Sequence, residues 1–359
     1  MCNMVDGLKK ALIDMPERNA SDLHVGVNIP LFYRIDEKLV KVDDNVLSAE
    51  KAKEYIFSLM TDDQITRFEK NKELDFSMQL EEAESRYRVN VYLQRGNITC
   101  AIRIIPMEVW NIEDCGLPEK IVLDFCKLKR GLILVTGATG SGKSTTLAAM
   151  VNQINLTRAC HIVTIEDPVE FVHKNKKAII DQRQLLEDTH SFKQALTHVL
   201  RQDPDVILIG EMRDLETIEA ALILADTGHL VLATLHTSDC IQTINRIIDV
   251  FPAHQQPQIR VQLSFVLSGI LSQQLVPCSD RAGRVLATEV LVATAAIRSM
   301  IREGKEAQIY SVLQTSQKYG MYTMNQALAE LCSLGTISNE EAIARATDAE
   351  EVSKLLKTR

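Results

Sequence analysis

No two of the eight cysteines stand in a C-x-x-C pair. Cys2, Cys100, Cys115, Cys126, Cys160, Cys240, Cys278 and Cys332 are scattered without short ligand spacing, so neither a zinc knuckle nor a disulfide framework is implied. Buried, reduced thiols are expected. A basic excess is also missing: 40 Lys and Arg are outnumbered by 48 Asp and Glu, for a formal charge of −8. That balance supplies no face of the kind that binds a phosphate backbone, and nucleic acid is not expected as a partner. No stretch approaches the ~18 apolar residues needed to span a bilayer, and the opening MCNMVDGLKK lacks the apolar core of a signal peptide. The expectation is a cytoplasmic chain that meets a membrane only through a partner. No internal repeat or low-complexity tract interrupts it.

What is present is ordinary globular material. The 359 residues are 46% hydrophobic and 25% charged, enough for two domains that each bury a core. Residues 1–105 mix an alternating run from Leu31 to Val42, a helical stretch from Ala49 to Met60 and a strand pair from Arg86 to Ile105, which predicts a small α+β domain. A two-residue turn at Gly96-Asn97 would set Leu93 opposite Cys100, Val91 opposite Ile102 and Val89 opposite Ile104, making one face apolar. The same register sends Arg88 and Arg103 to the other face, Arg103 opposite Asn90 and Arg88 a diagonal neighbour roughly 7–8 Å away. No acid in the domain evidently neutralises them. Residues 106–118, proline at both ends and without a sustained period, read as a linker. From 119 to 359, buried-strand runs at 132–136, 162–165, 206–209 and 230–234 alternate with helical segments such as His190 to Arg201, where Phe192, Ala195, Leu196, Val199 and Leu200 form a stripe. This predicts an α/β domain on a parallel sheet covered on both faces. Beyond about Ala293 the spacing becomes helical, and a small bundle is expected there.

The chemistry concentrates in the second domain. Gly137-Ala138-Thr139-Gly140-Ser141-Gly142-Lys143-Ser144 fits G-x-x-x-x-G-K-[ST] between a strand and a helix that opens with Thr145. In such a loop backbone N–H groups and the helix N-terminus meet the phosphates of ATP, Lys143 reaches the outer phosphates and Ser144 ligates Mg²⁺. A Walker B strand, apolar and ending in acid, follows at Val206 to Glu211, although Gly210 stands where many P-loop enzymes place aspartate. Glu211 is therefore the expected metal-side carboxylate. A second acidic cluster, Glu166, Asp167 and Glu170, follows the 162–165 strand; one carboxylate site can hold Mg²⁺ and the other orient the attacking water, and spacing alone leaves the division open. His229 and His236 flank an apolar strand, and a histidine at a strand end is more often structural than functional.

Taken in order, the P-loop, TIEDPVEF as an Asp box, VILIGEMRD as Walker B and GHLVLATLHT as a His box resemble the secretion ATPase superfamily. SDLHV at 21–25, RYRVNVYLQRG at 86–96 and AIRSMIRE at 296–303 make the chain most similar to the type IV pilus retraction ATPases within it. The resemblance implies a PAS-like N-terminal domain, a RecA-like ATPase domain and a homohexameric ring. It also implies docking on an inner-membrane pilus platform protein, with a paralogous retraction ATPase as a further partner. By the same resemblance Glu170 activates water, Glu211 is the Walker B acid near Mg²⁺, His229 and His236 sense nucleotide across subunits, and Arg88 and Arg103 lie near the nucleotide. Assembly and export ATPases of the superfamily share the motifs but typically carry a larger N-terminal extension and often a tetracysteine site. Ser299 and Met300 replace the asparagine and leucine usual in the AIRNLIRE signature of the retraction ATPases. In that helix Ile297 and Ile301 are expected inside, with Arg298, Arg302 and Glu303 free to contact a partner.

Overall fold

The computed structural model describes residues 5–35, 38–83, 85–105 and 109–357, so Cys2 and the first three residues of the expected linker lie outside the described residues. The chain divides into two units, Met1–Glu108 and Val109–Arg359.

The first unit runs α1 (Asp6–Glu17), β1 (Asp22–Val25), β2 (Phe32–Ile35), β3 (Lys38–Lys41), α2 (Ala49–Phe57), α3 (Asp62–Asn71), β4 (Glu73–Leu80), β5 (Ser85–Gln94) and β6 (Asn97–Ile105). Its strands form one antiparallel sheet in the order β3-β2-β1-β6-β5-β4. Local chemistry sets the helix starts: Ser48 caps α2, and Thr61 with Gln64 makes a reciprocal capping box on α3. Leu8, Leu12 and Met15 of α1 and Ile56 of α2 share a core with Tyr33, Tyr87, Val89 and Ile102 of the sheet. Both tyrosines are fully buried, and their hydroxyls donate to α1 carbonyls, Tyr33 to Ala11 at 2.6 Å and Tyr87 to Leu12 at 2.7 Å. A buried phenol needs such an acceptor.

The β5–β6 register differs from the expected one. The turn is Arg95-Gly96, both with positive φ (51° and 79°), as a two-residue hairpin turn with right-handed twist requires. Val91 therefore pairs with Cys100, Val89 with Ile102 and Leu93 with Ile98, and Arg88 stands directly opposite Arg103. Each arginine also has an acid in its own unit: Arg103 Nε lies 2.8 Å from Asp22 Oδ1, and Arg88 Nε 3.8 Å from Asp75 Oδ1. The acids come from β1 and β4, strands that the hydrophobic pattern did not reveal.

The second unit continues with α4 (Glu119–Lys127), β7 (Gly131–Thr136), α5 (Lys143–Thr157), β8 (His161–Glu166), β9 (Ile179–Gln184), α6 (Phe192–Val199), β10 (Val206–Ile209), α7 (Leu215–Asp226), β11 (Leu230–Leu235), α8 (Cys240–Asp249), α9 (Gln256–Val266), β12 (Leu267–Pro277) and β13 (Arg284–Val292). Then come the α-helices α10 (Ala295–Glu303), α11 (Ile309–Thr315), α12 (Met324–Ser333), α13 (Asn339–Arg345) and α14 (Ala349–Lys357). The sheet order is β13-β12-β7-β11-β10-β8-β9, parallel except for β13 at the edge. Strand alternation divides the core: Leu132, Leu134, Ile207, Ile209, Val231 and Ala233 enter one cluster, and Ile133, Val135, Val206, Leu208, Leu230 and Leu232 the other. Both faces are covered, as the continuous apolar runs require.

Three details depart from the sequence reading. Ile112 and Leu117, inside the segment read as linker, are buried with Val122 and Phe125 of α4. Leu200 falls just past α6 and is exposed. Cys100, Cys126 and Cys240 are buried, but Cys115, Cys160, Cys278 and Cys332 are only half-buried. In the C-terminal region α10 and α11 pack onto the main core, whereas α12, α13 and α14 form their own cluster around Met324, Leu328, Ala342 and Val352 with Val276 and Ala287 of the sheet.

Candidate nucleotide site

Parallel strands end together, and their C-terminal ends are where an open α/β sheet binds ligands. Here β7 delivers the P-loop, β11 delivers His236, β10 delivers Glu211 and β8 delivers Glu166, in the order in which those strands lie side by side. The sheet thereby lays segments distant in sequence along one edge.

Lys143, the first residue of α5, folds back over its own loop and donates from Nζ to Gly137 O at 2.9 Å and Ala138 O at 3.0 Å. Burial pulls its ammonium below the ordinary lysine range, opposed by the carboxylates of Glu211 and Glu170. Lys143 Nζ is 3.5 Å from His236 Nδ1, and His236 Nε2 is 3.1 Å from Glu211 Oε1. Arg213 takes the other oxygen, with Nη2 2.8 Å from Glu211 Oε2. Burial works against ionisation of Glu211, but the Arg213 hydrogen bond and the neighbouring His236 outweigh it and hold the carboxyl below its usual range. Lysine, histidine, glutamate and arginine thus form one chain of polar contacts.

Gly210 lies close against the neighbouring strand. A Cβ there would lie 3.2 Å from Glu166 Cα and from Ile165 O, because the Gly210 N–H donates to Ile165 O at 2.8 Å. A side chain at Gly210 would need the neighbouring strand to give by a few tenths of an ångström, and Glu166 of that strand lies beside it. Glu166 accepts from Thr164 Oγ1 at 2.6 Å and from Gln182 Nε2 at 3.3 Å; burial pushes its carboxyl up. A carboxylate so held is suited to positioning. Asp167 and Glu170 are exposed at the loop that follows, with the field of Glu170 reaching both Lys143 and Glu166.

His229 is not part of this cluster. It precedes β11 beside Gly131, so a strand of six residues, rising roughly 20 Å, separates it from the P-loop end. Its Nδ1 lies 3.0 Å from Leu224 O and 3.1 Å from Thr227 Oγ1, where it anchors the end of α7.

A cavity of about 350 Å³, the size of a ligand pocket, lies beside the loop. Gly137–Ser141 form one wall, Gln273, Gln274, Leu275 and Pro277 of β12 another, and Arg284 and Arg345 also line it. Sequence reading missed these two arginines, Arg213, Gln182 and Gln273. Arg213 sits inside the Walker B segment and was open to discovery there; Arg345 arrives from a distant helix with no local signal. Gln273 is buried, its Nε2 donating to Thr146 Oγ1 at 2.7 Å.

Sheet order, glycine loop and paired carboxylates define a RecA-like P-loop nucleotide-hydrolysing domain, preceded in the chain by a smaller α+β domain. Comparison with known proteins narrows this. The Type II/IV secretion system protein family model matches residues 3–345. The type IV pilus retraction ATPase PilT of Pseudomonas aeruginosa is 45% identical over 92% of this chain and 95% of its own, and the type IV pilus ATPase PilU of the same organism 38% identical over 97% and 91%. A crystal structure of the pilus retraction motor PilT with bound ADP superposes with a TM-score of 0.91 at 46% identity, covering 96% of this chain and 98% of that one. The chain belongs to the Type II/IV secretion system protein family, among the type IV pilus retraction ATPases, and is an ATPase.

Proposed function

We propose that this chain is a subunit of a hexameric ring that converts ATP hydrolysis into retraction of a type IV pilus, docking on an inner-membrane platform protein and working beside a paralogous ATPase. The observation that carries the reading is the Lys143–His236–Glu211 chain at the mouth of the P-loop, which joins phosphate binding to the His box.

In this reading Gly137, Ala138, Thr139, Gly140, Ser141 and Gly142 wrap the phosphates, with Thr145 in the first turn of the helix below them. Lys143 exchanges its two loop carbonyls for phosphate oxygens. The oxygen donors Ser144 and Glu211 would hold Mg²⁺, which would supply neutralisation of charge on the transferring group. Both oxygens of Glu211 are already engaged by His236 and Arg213, so we assign it to positioning from the metal side. The exposed Glu170 is left to accept the proton of the attacking water, with Glu166 and Asp167 shaping its loop. His229, at the far end of β11, acts toward a neighbouring subunit. Arg88 and Arg103 give up Asp75 and Asp22 to meet charge developing on the terminal phosphate.

The test is a Lys143→Ala substitution at the native locus beside a deletion strain. Both should lose twitching motility and accumulate surface pili, and purified Lys143→Ala protein should lose at least ~100-fold in turnover. Normal pilus number and motility in both strains would overturn the retraction reading; undiminished ATPase would overturn the site.

A further inference from the structure

The site described above does not use Glu289, a carboxylate buried in the second unit. Glu289, on β13, is 2% exposed, and its two oxygens accept from two different helix starts. The N–H of Cys240, first residue of α8, donates to Oε1 at 2.8 Å, and the N–H of Met324, first residue of α12, donates to Oε2 at 3.2 Å. Each helix has its own side-chain cap, Asp239 and Thr323, so Glu289 is not needed to start either one. It ties them to each other. Burial pushes this carboxyl up, and the two N–H donors oppose that shift.

The tie continues toward the nucleotide. Glu289 pairs with Ser272 across β13 and β12, and Ser272 pairs with Thr136 across β12 and β7, so the three side chains form one row. Thr136 Oγ1 and Ser272 Oγ are 2.8 Å apart, and Cys240 Sγ is 3.6 Å from Ser272 Oγ. Thr136 immediately precedes the P-loop. On the other side, Cys240 follows the turn that begins at His236, and that turn is held by Thr237 Oγ1 2.7 Å from Thr243 Oγ1. Thr136, Ser272, Cys240, Thr243 and Met324 are all fully buried.

We propose that Glu289 is a positioning residue that couples the His236 turn to the C-terminal helices. One carboxylate cannot keep both N–H groups if either helix start shifts, so any movement of His236 toward or away from the phosphates is passed to α12. Conversely, α12 fixes where His236 can sit. A close-packed, fully buried path with a single shared acceptor is the kind of contiguous element through which such coupling travels.

The inference rests on the ATPase reading, and ADP titration keeps the two apart: a wild-type chain that binds no nucleotide overturns the site itself. Glu289→Gln keeps the shape but turns one acceptor into a donor facing an N–H, so one tie is lost. Expected are a kcat lower by roughly 10- to 100-fold, as displaced catalytic groups show, with ADP affinity within about twofold of wild type. Glu289→Asp, which retains both acceptors on a shorter arm, should fall between. Amide hydrogen exchange on the wild-type chain supplies the second arm: protection at residues 323–328 should change when nucleotide binds, and Glu289→Gln should abolish that response. Wild-type turnover in a folded Glu289→Gln protein, or wild-type exchange at 323–328 that ignores nucleotide, overturns the proposal. The wild-type arm decides it even if the variant does not fold.

Discussion

His236 Nε2 lies 3.1 Å from Glu211 Oε1, making the end of the His box and the end of Walker B one hydrogen-bonded unit. Remove the imidazole and Glu211 loses the partner of Oε1 and keeps only the Arg213 contact at Oε2. His236→Ala is expected to lower kcat roughly 10- to 100-fold with ADP affinity preserved. Steady-state kinetics with ADP titration checks this; parallel loss of affinity would mean that the phosphate site itself had collapsed.

The two candidate carboxylates should separate. Glu170→Gln removes the proton acceptor and leaves the polar chain intact, so hydrolysis should vanish while ATP binding and its Mg²⁺ dependence persist. Glu211→Gln should also stop hydrolysis but weaken the Mg²⁺ dependence of binding. A Glu170→Gln ring with normal turnover would transfer the water-activating role elsewhere.

Arg88 and Arg103 differ in what they leave behind. Arg88 and Asp75 are both well exposed, so Arg88→Ala should cost at least ~10-fold in turnover with an unchanged melting temperature. Arg103 is 68% exposed, but its partner Asp22 is only 10% exposed. Arg103→Ala should therefore lose the same turnover and also lower the melting temperature, by an amount that corresponds to about 1 kcal/mol, since Asp22 loses its charged partner but keeps the Ser21 hydroxyl at 2.8 Å. Near-normal turnover in both variants would leave the pair as ion pairs of their own sheet.

Arg298 was expected to reach a partner, and instead it ends α9. Its Nη1 donates to Ser264 O at 2.6 Å and Phe265 O at 2.7 Å, and its Nε to Ala293 O at 2.9 Å. Ile297 and Ile301 are buried as the spacing predicted. Glu303 is held by Ser299 and Lys305, and Arg302 approaches Ser264 Oγ at 3.4 Å. Arg298→Ala should destabilise the protein by about 2 kcal/mol, since it frees three carbonyls from a charged donor. Differential scanning calorimetry on Arg298→Ala and Arg302→Ala should show the larger drop for Arg298.

His173 predicts an acid-sensitive step. Burial, helped by the Lys176 ammonium, pulls its imidazole from 6.5 down to about 4. Between those values the unfolded chain holds the extra proton, so stability falls as pH drops from 6.5 toward 4 and is unaffected above that window. The full effect is up to about 3 kcal/mol. Urea denaturation at pH 7 and pH 5 should show a smaller pH difference for His173→Gln than for wild type; equal differences would place the acid sensitivity in another group.

What the sequence determined by itself was local or periodic. The P-loop is legible because one backbone conformation needs its glycines, its lysine and its hydroxyl in a single run, and the strands from 132 to 234 because burial on both faces demands unbroken apolar residues. Apolar spacing located α2, α6 and α10 for the same reason. The tertiary structure decided everything that depends on which strands are neighbours. Sheet order alone places His236 between Lys143 and Glu211, sets Glu166 beside Gly210, and leaves His229 at the opposite end of its strand. Hairpin register turned on which two residues could take positive φ, and a shift of the turn by one residue moved every pairing by two, bringing Arg88 and Arg103 face to face. The acids that answer them, the two arginines lining the cavity and the double tie at Glu289 come from segments far apart in the chain, and no local propensity records a meeting that only the packing of the folded chain creates.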